Sequence, residues 1–133
     1  MSHALNESTI QHVIERAQAL AREQHFTINI AVVDEAGLLR GFLRMDDAVP
    51  GAIDVSIKKA RTAALFRTDS LELGAAAQPG GAIYTLEATN GGLISFGGGV
   101  VLRADDRVIG AVGVAGATVE VDQAIALHAA SRA

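Results

Sequence analysis

The side chains of this 133-residue chain that could do chemistry are few and widely spread. Arg44 and Asp46 stand two residues apart, and Glu120 falls where a last helix is expected to begin. A buried guanidinium beside either carboxylate can grip a carboxylated small molecule through a forked, charge-assisted contact; isolated pairing at the surface explains the same residues equally well. Lys58 and Lys59 are adjacent on a predicted helix, so they point about 100° apart and only one of them can face a given ligand. A lysine with Asp46 and Glu120 near a glycine-lined pocket would suffice for acid–base catalysis, because proton transfer needs positioned groups with shifted pKa values and no cofactor motif. The four histidines, His3, His12, His25 and His128, show neither HExxH nor another compact metal-ligand spacing, and no metal site is expected. Each reads as structural or superficial, although His25 sits at a helix-to-strand boundary where it can face a ligand.

Nucleophilic chemistry finds little support. The chain has no cysteine, which excludes thiolate catalysis, disulfides and cysteine-ligated zinc or iron–sulfur centres. Ser56 and Ser95 lack a nucleophile elbow. The glycines admit two accounts. Gly98 and Gly99 can bring backbone N–H groups near a carboxylate, and Gly116 ahead of a helix start at Thr118 can form an anion-binding mouth. For Gly110, Gly113 and Gly116, close packing of strands or subunits is the simpler explanation. No Walker or dinucleotide glycine motif is present.

The elements that must position these residues follow from hydrophobic periodicity. A mass of 13.7 kDa fits one domain, here residues 1–133, with a core of Ala, Val, Ile and Leu, since only 4% of residues are aromatic. A net charge of −4 argues against a nucleic-acid partner. The start at Met1-Ser2-His3 has no basic leader or apolar signal core, and charges at Arg103, Asp105, Asp106 and Arg107 break the apolar stretch at 100–117, so a soluble, cytoplasmic chain without membrane contact is expected. Residues 6–24 predict a helix capped by Asn6, and 26–33 a strand apolar on both sides in its second half. The turn Asp34-Glu35-Ala36-Gly37 joins it to a strand at 38–44. A second helix follows Gly51, with a shorter helical piece at 71–77. Residues 78–99 are irregular, strands follow at 100–103 and 107–115, and Thr118 caps the last helix. Without strand–helix alternation or repeats, this order predicts an antiparallel α+β sandwich.

Several segments, taken jointly, resemble the GlcG/HbpS-like family, which includes haem-binding or haem-degrading proteins and the C-terminal domain of PduO-type cobalamin adenosyltransferases. The resemblance rests on Ile30-Ala31-Val32-Val33-Asp34-Glu35-Ala36-Gly37, on Arg44-Met45-Asp46, on Lys58-Lys59-Ala60-Arg61-Thr62-Ala63, and on Gly98-Gly99 followed by Gly110-Ala111-Val112-Gly113-Val114-Ala115-Gly116. It implies a profilin-like three-layer α/β/α arrangement, an antiparallel sheet of about five strands, and a homo-oligomer. It also favours Lys59 over Lys58 as the ligand-facing amine, an anion anchor or general acid/base. The chain departs from the family pattern at Val101, at Asp106, and in the run Ala115 to Val121.

The combined reading is a small-molecule-binding homo-oligomer whose ligand is haem, another tetrapyrrole, or a carboxylated metabolite. Haem rests on the resemblance alone. Ligand contacts are expected from Arg44, Lys59, Gly98, Gly99, Gly116, Thr118 and His25. Two alternatives stand beside it: a cofactor-independent acid–base enzyme using Lys59, Asp46 and Glu120, and an oligomeric scaffold without a small ligand.

Overall fold

A computed structural model describes residues 5–131; the chain start and His3 lie outside them. Helix α1 (Glu7–Glu23) begins as expected at Asn6, whose side chain accepts from the Thr9 N–H at 2.8 Å. Its buried stripe of Ile10, Val13, Ala17 and Ala21 has helical spacing. Strands β1 (Asn29–Asp34) and β2 (Leu39–Arg44) form the anticipated hairpin. In its turn the Asp34 carboxylate accepts the N–H groups of Ala36 and Leu38, and Gly37 takes a φ of +79°. Helices α2 (Gly51–Phe66) and α3 (Ser70–Ala77) follow, then strands β3 (Gly99–Ala104) and β4 (Arg107–Ala115), and finally α4 (Val119–Ala130).

All strand pairs are antiparallel, and the sheet order is β2-β1-β4-β3. Among the described residues the sheet has four strands, which corrects the expected number of about five. The segment between α3 and β3 supplies no strand because its backbone keeps turning: Thr85, Asn90, Gly91 and Gly92 all take positive φ, and its only regular piece is a 3-10 turn at Leu86–Ala88.

Side chains of β1 alternate between two cores. Ile30 and Val32 join Val112, Val114, Val100 and Leu102 beneath α1 and α4, whereas Ala31, Val33 and Ala111 meet Ala60, Ala63 and Ala64 of α2. The result is three layers, with α1 and α4 on one face and α2 on the other, drawn very close to the sheet. A Cβ on Gly113 would stand 2.0 Å from the Ser56 carbonyl oxygen, and one on Gly99 would stand 2.2 Å from that of Lys59. Small residues on both sides therefore set the height of α2, and with it the position of Lys59.

Candidate functional site

Lysine is seldom buried without a partner, because removing its charge from water is costly. Lys59 is 1% exposed. Its Nζ donates to the Val114 carbonyl at 2.8 Å and to Asp122 Oδ2 at 3.2 Å, so β4 and α4 both hold the amine carried by α2. Asp122 is also buried, and its other oxygen accepts the Ala117 N–H at 3.1 Å. The Phe96 ring centroid lies 5.1 Å from Nζ, within cation–π range. Burial pushes the Lys59 amine below the usual lysine value and the Asp122 carboxyl above the usual carboxylate value; the attraction between them opposes both shifts.

Above this pair runs an open groove of about 340 Å³ between the starts of α2 and α4. Gly51, Ala52 and Val55 line one wall, Gly116, Ala117 and Val119 the other, and Lys59, Asp122 and Phe96 complete it. Gly98 belongs to the same site for a steric reason. Its φ is +127°, and a Cβ there would lie 2.6 Å from both Lys59 Nζ and the Val114 oxygen. The backbone amides of Gly98 and Gly99 already donate to Gln123 Oε1 and Ser70 Oγ, at 2.8 and 2.9 Å. Thr118 caps α4 by accepting the Val121 N–H at 3.2 Å, which places Gly116 at the groove wall as the residue before that turn. Asn29 adds a further polar group nearby. It is fully buried, pairs in register with Ala115, and donates to the Val49 carbonyl at 3.3 Å, while its Oδ1 has no donor.

The candidate residues from the sequence divide between two places. Lys59, Gly98 and Gly116 gather at this groove, with Gly99 next to Gly98. Arg44, Asp46 and His25 line a second groove of about 410 Å³, together with Arg22, Phe26 and Met45. There Arg44 donates through Nε and Nη2 to the Ala48 carbonyl at 3.2 and 3.0 Å. Glu120 is exposed on the first turn of α4 and lines neither groove. The acid that meets Lys59 is Asp122. Its signal was present in the sequence: Asp122, Ile125, Ala126 and Ala129 share the buried helical stripe, with spacing 0, 3, 4 and 7. Among the described residues no cluster of three His, Asp or Glu could hold a metal, and no helix is long and apolar enough to cross a membrane.

Fold and site together define a three-layer α+β protein with a groove above a buried lysine–carboxylate pair. Residues 5–131 match the family described as haem degrading protein HbpS-like, and the chain belongs to that family. An uncharacterized 15.0 kDa protein of the dhaT-dhaS intergenic region of Citrobacter freundii is 40% identical over 113 residues, 84% of this chain and 80% of that protein. The corrinoid adenosyltransferase PduO of Salmonella typhimurium is 37% identical over 125 residues, which are 93% of this chain but only 36% of that enzyme. Among solved structures, the crystal structure of a PduOC:heme complex superposes with a TM-score of 0.93 at 33% identity, covering 98% of this chain and 95% of the other.

Proposed function

We propose that this chain binds a small carboxylated or ring-bearing molecule and does so as a homo-oligomer. The Lys59–Asp122 pair carries the reading. Two ionisable groups withdrawn from water cost more than apolar residues of similar size would, so their retention at an open groove suits a ligand site better than a packing contact. Gly51 and Ala52 bring the positive end of the α2 dipole to the groove, where the Ala52 and Ile53 N–H groups themselves donate to the Val49 and Pro50 carbonyls at 3.2 and 3.1 Å. Calorimetric titration with a panel of short carboxylates tests this. Val55→Trp, which fills the groove from its wall, is expected to abolish saturable binding while leaving the circular dichroism spectrum unchanged. Retained binding would count against the groove.

The relative crystallised with haem supports haem as the ring-bearing candidate, and the second groove is the better fit for it. His25 is exposed there and offers one imidazole nitrogen, Arg22 and Arg44 offer guanidinium groups for carboxylates, and Phe26 offers an apolar face. Bound there, haem would supply an iron centre whose open positions and redox state the protein tunes. Titration with haemin is expected to give a saturable Soret shift that His25→Ala weakens and His12→Ala, exposed on α1, does not. Absence of a saturable shift would remove haem and leave the carboxylate reading standing.

A further inference from the structure

The chain has two lysines, Lys58 and Lys59, and they differ in everything that governs amine reactivity. Lys58 has a side chain 31% exposed and pairs with Asp54 at 3.1 Å on the surface. Lys59 lines the groove with its side chain 1% exposed, and its Nζ is 3.2 Å from a carboxylate that is itself 4% exposed. In this arrangement Asp122 already meets the lysine charge, so the amine is open to a second role beside contact with a ligand carboxylate. It makes a good nucleophile. The proton shared along the Nζ to Oδ2 hydrogen bond can pass to the carboxylate, leaving a neutral amine beside a neutral acid, and burial of both groups favours that exchange. The Val114 carbonyl fixes the amine, and the ring that covers it, Phe96, is 44% exposed, so the cover is a surface side chain.

We propose that Lys59 forms a Schiff base with a small carbonyl compound, an aldehyde or a 2-oxo acid, that enters the groove past Phe96. This deepens the reading of the groove as the ligand site and rests on it. The neutral Nζ attacks the carbonyl carbon, and the carbonyl π pair moves to oxygen, which takes the proton held by Asp122. The resulting carbinolamine nitrogen returns a proton to the carboxylate. Asp122 then protonates the departing hydroxyl, water leaves, the nitrogen lone pair closes the C=N bond as an iminium, and loss of the iminium N–H proton back to the Asp122 carboxylate gives the imine. The sum is amine plus carbonyl giving imine plus water, with no oxidant or reductant. A 2-oxo acid would place its carboxylate toward the positive dipole end of α2.

The test uses the whole chain carrying Lys58→Arg, in which Lys59 is the sole lysine. The protein is incubated with pyruvate or with propanal in the presence of sodium cyanoborohydride, and the adduct is located by peptide mass mapping. A single adduct at Lys59, saturating with carbonyl concentration, is the expected result. In the unsubstituted chain Lys59 should label ahead of Lys58 despite its burial. Asp122→Asn should slow trapping by about a hundredfold, and Phe96→Ala should speed it. Label confined to Lys58 and the terminal amine, or label at Lys59 that rises linearly without saturating, would overturn the proposal. Calorimetry with propionate, which has the carboxylate and no ketone, separates the two failures: propionate binding without a Lys59 adduct sinks the Schiff base and keeps the groove, and loss of both sinks both.

Discussion

At the scale of single residues, the Lys59–Asp122 pair dominates the energetics of the site. Lys59→Met leaves the buried Asp122 carboxyl without its partner, and the expected loss is about 3–5 kcal/mol in urea unfolding at neutral pH. Replacing both partners, Lys59→Met with Asp122→Leu, should recover most of that loss, since the remaining side chains need no solvation. The pair also sets a pH dependence. Burial holds the Asp122 carboxyl above 3.8, so as pH climbs past 3.8 the folded chain keeps a proton that the unfolded chain releases, and the contribution of Asp122 to stability falls. Lys59, held by burial below 10.5, acts in the opposite sense and restores stability as pH climbs toward 10.5. The difference in unfolding free energy between the wild type and the double variant, followed from about pH 4 to about pH 10, should therefore pass through a minimum. A flat difference would contradict both shifts. Lys59 was legible in the sequence only through a resemblance, because adjacent lysines on a helix look alike until the sheet is placed beneath one of them. As an acid in the first turn after Thr118, Asp122 reads as a helix-dipole partner no different from Glu120, and only its place on the stripe with Ile125, Ala126 and Ala129 sets it apart.

At the scale of elements, the seat of α2 on the sheet decides whether the site exists. A Cβ on Gly113 would approach the Ser56 oxygen to 2.0 Å and the Ala60 nitrogen to 2.7 Å, both of them backbone atoms that cannot rotate aside. Gly113→Ala is expected to cost at least about 1–3 kcal/mol and to weaken ligand binding, because lifting α2 moves Lys59 away from Asp122. Gly51→Ala, where a Cβ would meet nothing within 4 Å, should stay within about 0.5 kcal/mol of wild type. The start of α3 provides a second clasp. Asp69 accepts the Val101 N–H at 3.0 Å and Ser70 Oγ accepts that of Gly99 at 2.9 Å, so side chains close part of the free edge of β3. Burial raises the Asp69 pKa above 3.8, and its contribution to stability falls as pH rises past that value. Asp69→Asn keeps an acceptor while abolishing the titration, so the variant should gain on wild type between about pH 4 and about pH 7 in chemical unfolding. The periodic elements were readable from apolar spacing, Asn6 and Thr118 as caps included. The clasp was not, since nothing local marks Asp69 and Ser70 as partners of a strand some thirty residues further along the chain, and the strand count inferred by resemblance failed where glycine-rich turns replaced extended backbone.

At the scale of the whole molecule, surface area alone does not call for a partner: 6768 Å² is close to the roughly 6,600 Å² that monomeric scaling gives for 13.7 kDa. What argues for self-association is the kind of surface. The chain has only five aromatic residues, and Phe66, Tyr84 and Phe96 are exposed, at 37%, 57% and 44%. An interior of Ala, Val, Ile and Leu has left large rings outside, and rings with Leu71, 50% exposed, surround a depression of about 540 Å³ lined in part by Tyr84 and Phe96. Aromatic side chains around a hollow are the residues that anchor protein interfaces. Sedimentation velocity of the full chain is therefore expected to give a multiple of 13.7 kDa, and Leu71→Glu or Tyr84→Glu should shift it to the single-chain mass without altering the circular dichroism spectrum. Leu39→Glu is the control, since Leu39 is equally exposed but lies on β2, at the opposite edge of the sheet from β3. Phe96 borders both this depression and the Lys59 groove, so a ligand of the groove should also change the dissociation constant of the assembly. A single-chain mass at every micromolar concentration tested, with ligand and without, would refute self-association and leave the Lys59 groove to be judged as the site of one independent chain.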